Sequence, residues 1–183
     1  DIKIFNTIAP HLQTSNITYF HGRLNERRFY FTLNELSRLR VQINNIIDIG
    51  CNTGRYIDLL NKIKIGDPTC INYYCLDINS NIIEELEKKK KTVYSKYKVN
   101  VLQVEDNIRL EPHKILITDA NETTVILMIE VIEHMPLHEA KILLTNVINN
   151  MSFTRLILTT PNREFNCNYG LKEEFRHDDH HFE

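Results

Sequence analysis

Apolar positions along the chain fall into two alternating rhythms. Short β-rich runs at 46–49, 71–76, 99–104, 125–129 and 155–159 read as strands. Between them apolar residues recur at helical spacing. Leu24, Phe29, Phe31, Leu33, Leu36 and Leu39 predict a covering helix ahead of the first strand, and segments 55–64 and 80–91 predict two more. Ile142, Leu143, Val147 and Ile148 mark a fourth over 137–151, with Pro136 placed as its first helical residue. Strands alternating with helices predict an α/β, Rossmann-like fold with a mostly parallel central sheet and helices on both faces. Residues 1–22 show no sustained period and are expected to form a loosely structured lead-in.

At 183 residues the chain suits one domain, 1–183, and is too short for two of ordinary size. No apolar run is long enough to span a bilayer, and Asp1-Ile2-Lys3-Ile4 lacks the basic flank and apolar core of a signal peptide, so a cytoplasmic or nuclear location is expected. Cys51, Cys70, Cys75 and Cys167 show no C-x-x-C pairing and are expected to be reduced, buried thiols. The net charge of -2 argues against broad binding of long nucleic acid, which needs a basic face, yet permits a grip on one end of a short strand. Lys88 to Lys91 form the one dense basic cluster. It follows Glu84, Glu85 and Glu87 along a helix, the order the helix dipole prefers, and reads as a solvated helix end.

Three stretches carry candidate chemistry. The first strand breaks into Gly50-Cys51-Asn52-Thr53-Gly54 and then a helix, the nucleotide-binding opening of doubly wound folds; Asp77 follows at the distance expected for a ribose-binding acid. Glu130-Val131-Ile132-Glu133-His134 ends the apolar run 125–129 at the carboxyl edge of a buried strand, where such sheets bind ligands. A helix starting there would put Glu130 on one face with Glu133 and His134; the same residues also suit a solvated first turn. His177-Asp178-Asp179-His180-His181 offers a second imidazole to complete a four-ligand set. That N/O set would suit Mn²⁺, Mg²⁺, Fe²⁺ or Co²⁺. Asp106 and Asp119 could face a cofactor base, although solvated loop acids are commoner.

Four stretches together resemble the small-RNA 3′-terminal 2′-O-methyltransferases, which act on plant microRNAs, animal piRNAs and some bacterial repair RNAs. They are Asp48-Ile49-Gly50-Cys51-Asn52-Thr53-Gly54, Glu130-Val131-Ile132-Glu133-His134, Thr160-Pro161-Asn162-Arg163-Glu164-Phe165-Asn166, and the run from Arg176 to Glu183. The first is shared by all class I methyltransferases, and the other three, in this order, are specific to the family. The resemblance implies a class I methyltransferase fold. It also implies S-adenosylmethionine bound at Asp48, Gly50, Asn52, Gly54 and Asp77, with Asp77 on the ribose hydroxyls. A divalent metal, Mg²⁺ or Mn²⁺, would be held by Glu130, Glu133, His134 and His180, which are then the catalytic residues. His180 is chosen through the D-H-x-F-E run formed by Asp179-His180-His181-Phe182-Glu183. Thr160-Pro161-Asn162 would lie beside the site, 163–166 would begin a substrate-side loop, and 24–29 would match the family's lead-in helix.

Two departures stand out. Asn52 replaces the central glycine of the usual turn, and the sequence stops at Glu183 where the family continues through a Trp and its last sheet elements, so a domain truncated at its C-terminus is expected. The implied substrate is the 3′ end of a short single-stranded RNA presented by an Argonaute- or Piwi-type protein, with no membrane involved. Ligand and general-base roles stay open for His134 and His180. Competing readings are a class I methyltransferase acting on a small molecule or protein, and a catalytically silent RNA-binding module. A dehydrogenase is disfavoured because G-x-G-x-x-G is lacking.

Overall fold

The computed structural model describes residues 19–39, 41–63, 70–94, 98–164, 166, 175 and 177–183. In chain order the elements are α1 (Tyr19–Arg38), β1 (Asn45–Ile49), α2 (Arg55–Ile63), β2 (Asn72–Asp77), α3 (Ser80–Thr92), β3 (Lys98–Gln103), β4 (Thr124–Ile129), α4 (Leu137–Asn150) and β5 (Arg155–Thr159). The expected strands and helices are all present, with ends moved by a residue or two except at the start of α1, which lies five residues earlier than the expected Leu24. Tyr19 to Gly22, expected in the lead-in, already belong to α1, while residues 1–18 lie outside the described residues. Pro136 is the N-cap of α4 rather than its first helical residue, and Lys64 lies outside the described residues.

The sheet runs β3-β2-β1-β4-β5 with every pair parallel. Strand order therefore reverses between β1 and β4, and ligands of such sheets bind in the crevice beyond the carboxyl ends at that reversal. The central strands have no solvent face. All five residues of β1 are buried, and so are the first five of β4, which explains why their sequences read as unbroken apolar runs rather than alternating ones. One core cluster joins Ile46, Val125 and Leu127 to Leu33 and Leu36 of α1, Ile57 of α2 and Leu86 of α3. A second, on the opposite face, joins Ile47, Ile126 and Met128 to Ala140, Leu143 and Val147 of α4. Helices thus cover both faces.

Asp48 is the acidic exception in β1. Its carboxyl is buried and accepts a hydrogen bond from the Tyr73 hydroxyl at 2.7 Å. Burial pushes its pKa up to about 7; the Tyr73 bond opposes the shift and the charge of Asp77 adds to it. The folded state therefore holds a proton that the unfolded chain releases near pH 3.8, so stability falls as pH rises from about 4 to about 7 and levels off above. Asp48→Asn keeps an acceptor for Tyr73 and removes the titration. Urea unfolding at pH 5 and pH 8 should show a pH-dependent loss of a few kcal/mol in the native sequence that shrinks in the variant. An unchanged difference would mean that Asp48 is not protonated in the fold.

Candidate metal and cofactor site

The cofactor half forms where β1 ends. Gly50, Asn52 and Gly54 all have positive φ, at 71, 46 and 76°, and asparagine is among the few other residues that adopt this region readily. Asn52 thus keeps the turn that the missing glycine would have made. The Gly50 and Cys51 amides both donate to the Leu76 carbonyl, at 2.8 and 3.1 Å, tying the turn to β2. Asp77, at the end of β2, accepts from the Asn52 amide and the Asn79 amide, each at 3.0 Å. Asn79 in turn caps α3 by accepting from the Asn81 amide. Asp77 therefore organises both loops at the place where a ribose diol is expected.

Lys89, counted above within a solvated helix end, donates to the Thr53 carbonyl at 2.9 Å and pairs with Glu85 at 3.0 Å, anchoring the turn to α3. Cys51 and Cys75 are buried as expected, but Cys70 is exposed because it precedes β2 on the surface, and Cys167 lies outside the described residues. The Cys75 thiol and burial push the Cys51 thiol far up, so it stays protonated at neutral pH. Asp106 pairs with Arg109 at 2.8 Å and Asp119 accepts from the Asn121 amide at 2.8 Å. Both hold local loop structure.

The metal half forms where β4 ends. The chain does not turn helical at Glu130. That residue takes φ 56°, its amide donates to the Thr159 carbonyl at 3.0 Å, and a single 3₁₀ turn begins only at Ile132. Glu130 is consequently not on one face with Glu133 and His134; its carboxylate meets Arg28 of α1 at 2.5 Å and the Thr159 hydroxyl at 2.9 Å. Glu133, His134 and His180 do converge, each offering a ligand atom within 4.8 Å of the others. The loop 177–183 is fixed there by the His181 amide, which donates to the Glu133 carbonyl at 2.7 Å.

Glu133 is fully buried, and neither of its carboxylate oxygens has a hydrogen-bond partner among the described residues. Burial pushes its pKa up to about 7. Its own backbone amide and the Thr160 hydroxyl oppose the shift without reaching hydrogen-bond geometry, and the Glu130 charge adds to it. An orphaned buried carboxylate is costly unless a cation or proton compensates it.

The imidazoles are prepared as well. His134 Nδ1 lies 3.0 Å from Asp179, and His180 Nδ1 pairs with Glu183, which also accepts from Asn166 Nδ2. Carboxylates on Nδ1 fix the tautomer and leave Nε2 for the site, as around many metal-bound histidines. One carboxylate and two such imidazoles fit a divalent cation that favours N/O ligands.

Sequence reasoning gave no individual role to Arg28, Thr159, Asp179, Glu183 and Asn166, although all but Thr159 fall in stretches it singled out. Asp179 and Glu183 flank His180 in the chain, and that interleaving of acids with histidines was the available signal. Asp179→Asn or Glu183→Gln is expected to lower Mn²⁺ affinity by roughly 10–100-fold, read by calorimetry, with the fold intact by circular dichroism. Unchanged affinity would reduce both to structural contacts of the 177–183 loop.

The family described as methyltransferase domain matches residues 20–182. A small RNA 2′-O-methyltransferase of Drosophila melanogaster is 27% identical over 173 residues, covering 86% of this chain and 41% of that protein. One of Caenorhabditis elegans is 42% identical over 76 residues, covering 40% of this chain and 16% of that protein. The chain thus spans less than half the length of either relative. The crystal structure of small RNA methyltransferase HEN1 superposes with a TM-score of 0.68 at 25% identity, covering 87% of this chain and 20% of that one. The methyltransferase domain of a bacterial Hen1 gives 0.65 at 21% identity, covering 87% of this chain and 78% of that one, a likeness of fold.

Proposed function

Because the chain belongs to the methyltransferase domain family, we propose that it transfers the methyl group of S-adenosylmethionine to the 2′ oxygen of the 3′-terminal ribose of a short RNA, assisted by Mg²⁺ or Mn²⁺. The observation that carries this reading is the convergence of Glu133, His134 and His180 at the carboxyl edge of the sheet, across the β1–β4 reversal from the Gly50 turn. The names of the two curated relatives support RNA as the substrate.

Glu133 and His180 would hold the cation, with Glu130 and His134 as the further ligands that the resemblance implies. When bound, a divalent cation lowers the pKa of a nearby hydroxyl and makes it a nucleophile near neutral pH. Asp77, preset by the Asn52 and Asn79 amides, would orient the cofactor through its ribose hydroxyls. The 2′ oxygen then forms a bond to the methyl carbon as the carbon–sulfur bond breaks, and the hydroxyl proton departs. His134 serves at Nε2 either as ligand or as acceptor of that proton, and its Asp179 contact supports both roles.

Recognition of a free 2′,3′-diol needs few phosphate contacts, which suits a net charge of -2 and makes the expected salt dependence shallow. Presentation by an Argonaute- or Piwi-type protein, in the cytoplasm, belongs to the same reading. No helix among the described residues is long and apolar enough to cross a membrane.

The test is transfer of labelled methyl to a short single-stranded RNA with Mn²⁺ or with chelator, beside the same RNA ending in a 2′-deoxy nucleotide. Labelling that needs Mn²⁺ and is lost on the deoxy end is expected. Chelator-insensitive labelling would overturn the metal, and labelling of the 2′-deoxy end would overturn the acceptor atom. RNA binding without any labelling would favour a silent binding module.

A further inference from the structure

Both oxygens of the Glu130 carboxylate are occupied away from the Glu133, His134 and His180 cluster. One meets Arg28 Nη1 at 2.5 Å and the other accepts from the Thr159 hydroxyl at 2.9 Å. The backbone reinforces this placement, because φ 56° and the bond from its amide to the Thr159 carbonyl aim the side chain toward α1. The ion pair is partly sheltered, with Arg28 31% and Glu130 20% exposed, so it is stronger than a fully solvated pair. Positive charge is reinforced nearby by Arg55, whose guanidinium stacks on Phe29 of α1 at 4.3 Å. A carboxylate turned this way directs its oxygens to Arg28 and Thr159, yet it lies only three residues from the orphaned Glu133.

On the reading that a divalent cation binds Glu133, His134 and His180, we propose that Arg28 is a positioning residue that competes with the cation for Glu130. It holds that carboxylate in the metal-free protein and yields it as a fourth ligand when the cation binds. Glu130 is then a conditional ligand, and Arg28 sets the cation concentration at which the site fills.

A double-mutant cycle tests this by titrating Mn²⁺ and reading the free ion by electron paramagnetic resonance, in the native chain, R28Q, E130Q and the double variant. E130Q is expected to weaken Mn²⁺ binding roughly tenfold, as loss of one ligand should. R28Q is expected to tighten it roughly tenfold when Glu130 is present, and by less than about threefold in the E130Q background. The long-range repulsion between Arg28 and Mn²⁺ appears in both backgrounds, so the difference isolates the part that passes through Glu130. If R28Q weakens the docking of α1, R28M carries the same cycle, because it keeps a long aliphatic stem and removes the charge. Equal factors in both backgrounds would overturn the competition, and an E130Q affinity equal to the native one would show that Glu130 is never a ligand. Either result leaves the three-residue site standing, whereas no Mn²⁺ binding by the native chain would remove that site as well.

Discussion

Glu133→Gln is expected to abolish metal-dependent methyl transfer while sparing binding of S-adenosylmethionine. Two effects combine. Glu133 supplies the one buried carboxylate of the cluster, so the neutral amide removes the charge that draws in the cation; the loss should exceed the roughly 10–100-fold typical of outer-shell changes. The cofactor turn rests on Leu76, Asp77 and Lys89, none of which touches Glu133, so calorimetric affinity for the cofactor should stay near native. The metal-free variant should also lose a pH dependence. With its pKa raised from 4.5 to about 7, the native carboxyl stays protonated in the fold after the unfolded chain has ionised, so stability declines as pH rises through that window. Melting in chelator at pH 5.5 and pH 8 should differ less for the variant than for the native chain. Native turnover by Glu133→Gln would remove this residue from the site.

Gly50→Ala should be the most damaging change in the cofactor half. The residue sits at φ 71°, and a Cβ built there would come within 2.6 Å of the Val131 side chain. Left-handed strain of about 1–2 kcal/mol and overpacking of about 1–3 kcal/mol together predict a loss of roughly 2–5 kcal/mol, a large share of a small domain's stability. The clash should also push the two loops apart and weaken cofactor and metal binding together. Gly50→Ala with Val131→Ala relieves the steric part and leaves the backbone strain, so chemical denaturation should show partial recovery. Full native stability in the single variant would contradict the tight approach of the two loops.

The sheet was legible because its central strands are buried on both faces and so leave continuous apolar runs, while the intervening helices show their own period. Boundaries were less legible. The start of α1 at Tyr19 has no acidic residue in its first turn to mark it. That a histidine of 177–181 joins Glu133 and His134 was suggested by the ligand types, but the choice of His180 was readable only through the resemblance, since the two segments are far apart in sequence. Glu130 does not share a helix face with Glu133 and His134, because its backbone takes a positive φ where a helix was one of the possibilities, and no residue type at that position advertises it. Arg28, Asn166 and Lys89 act through contacts between distant elements, which spacing along the chain does not encode.

The parallel topology also dictates an order of assembly. No two neighbouring strands can be joined by a tight turn, and every pairing waits for a crossover to close. The cofactor turn draws its supports from Leu76, Asp77 and Lys89, so it can be completed once the chain has been made as far as α3. The metal half needs β4 placed beside β1, then β5, and last the residues 177–183 that bring His180 to Glu133. During synthesis the two halves of the candidate site therefore form at different times, the half around the Gly50 turn before the half that brings His180 to Glu133.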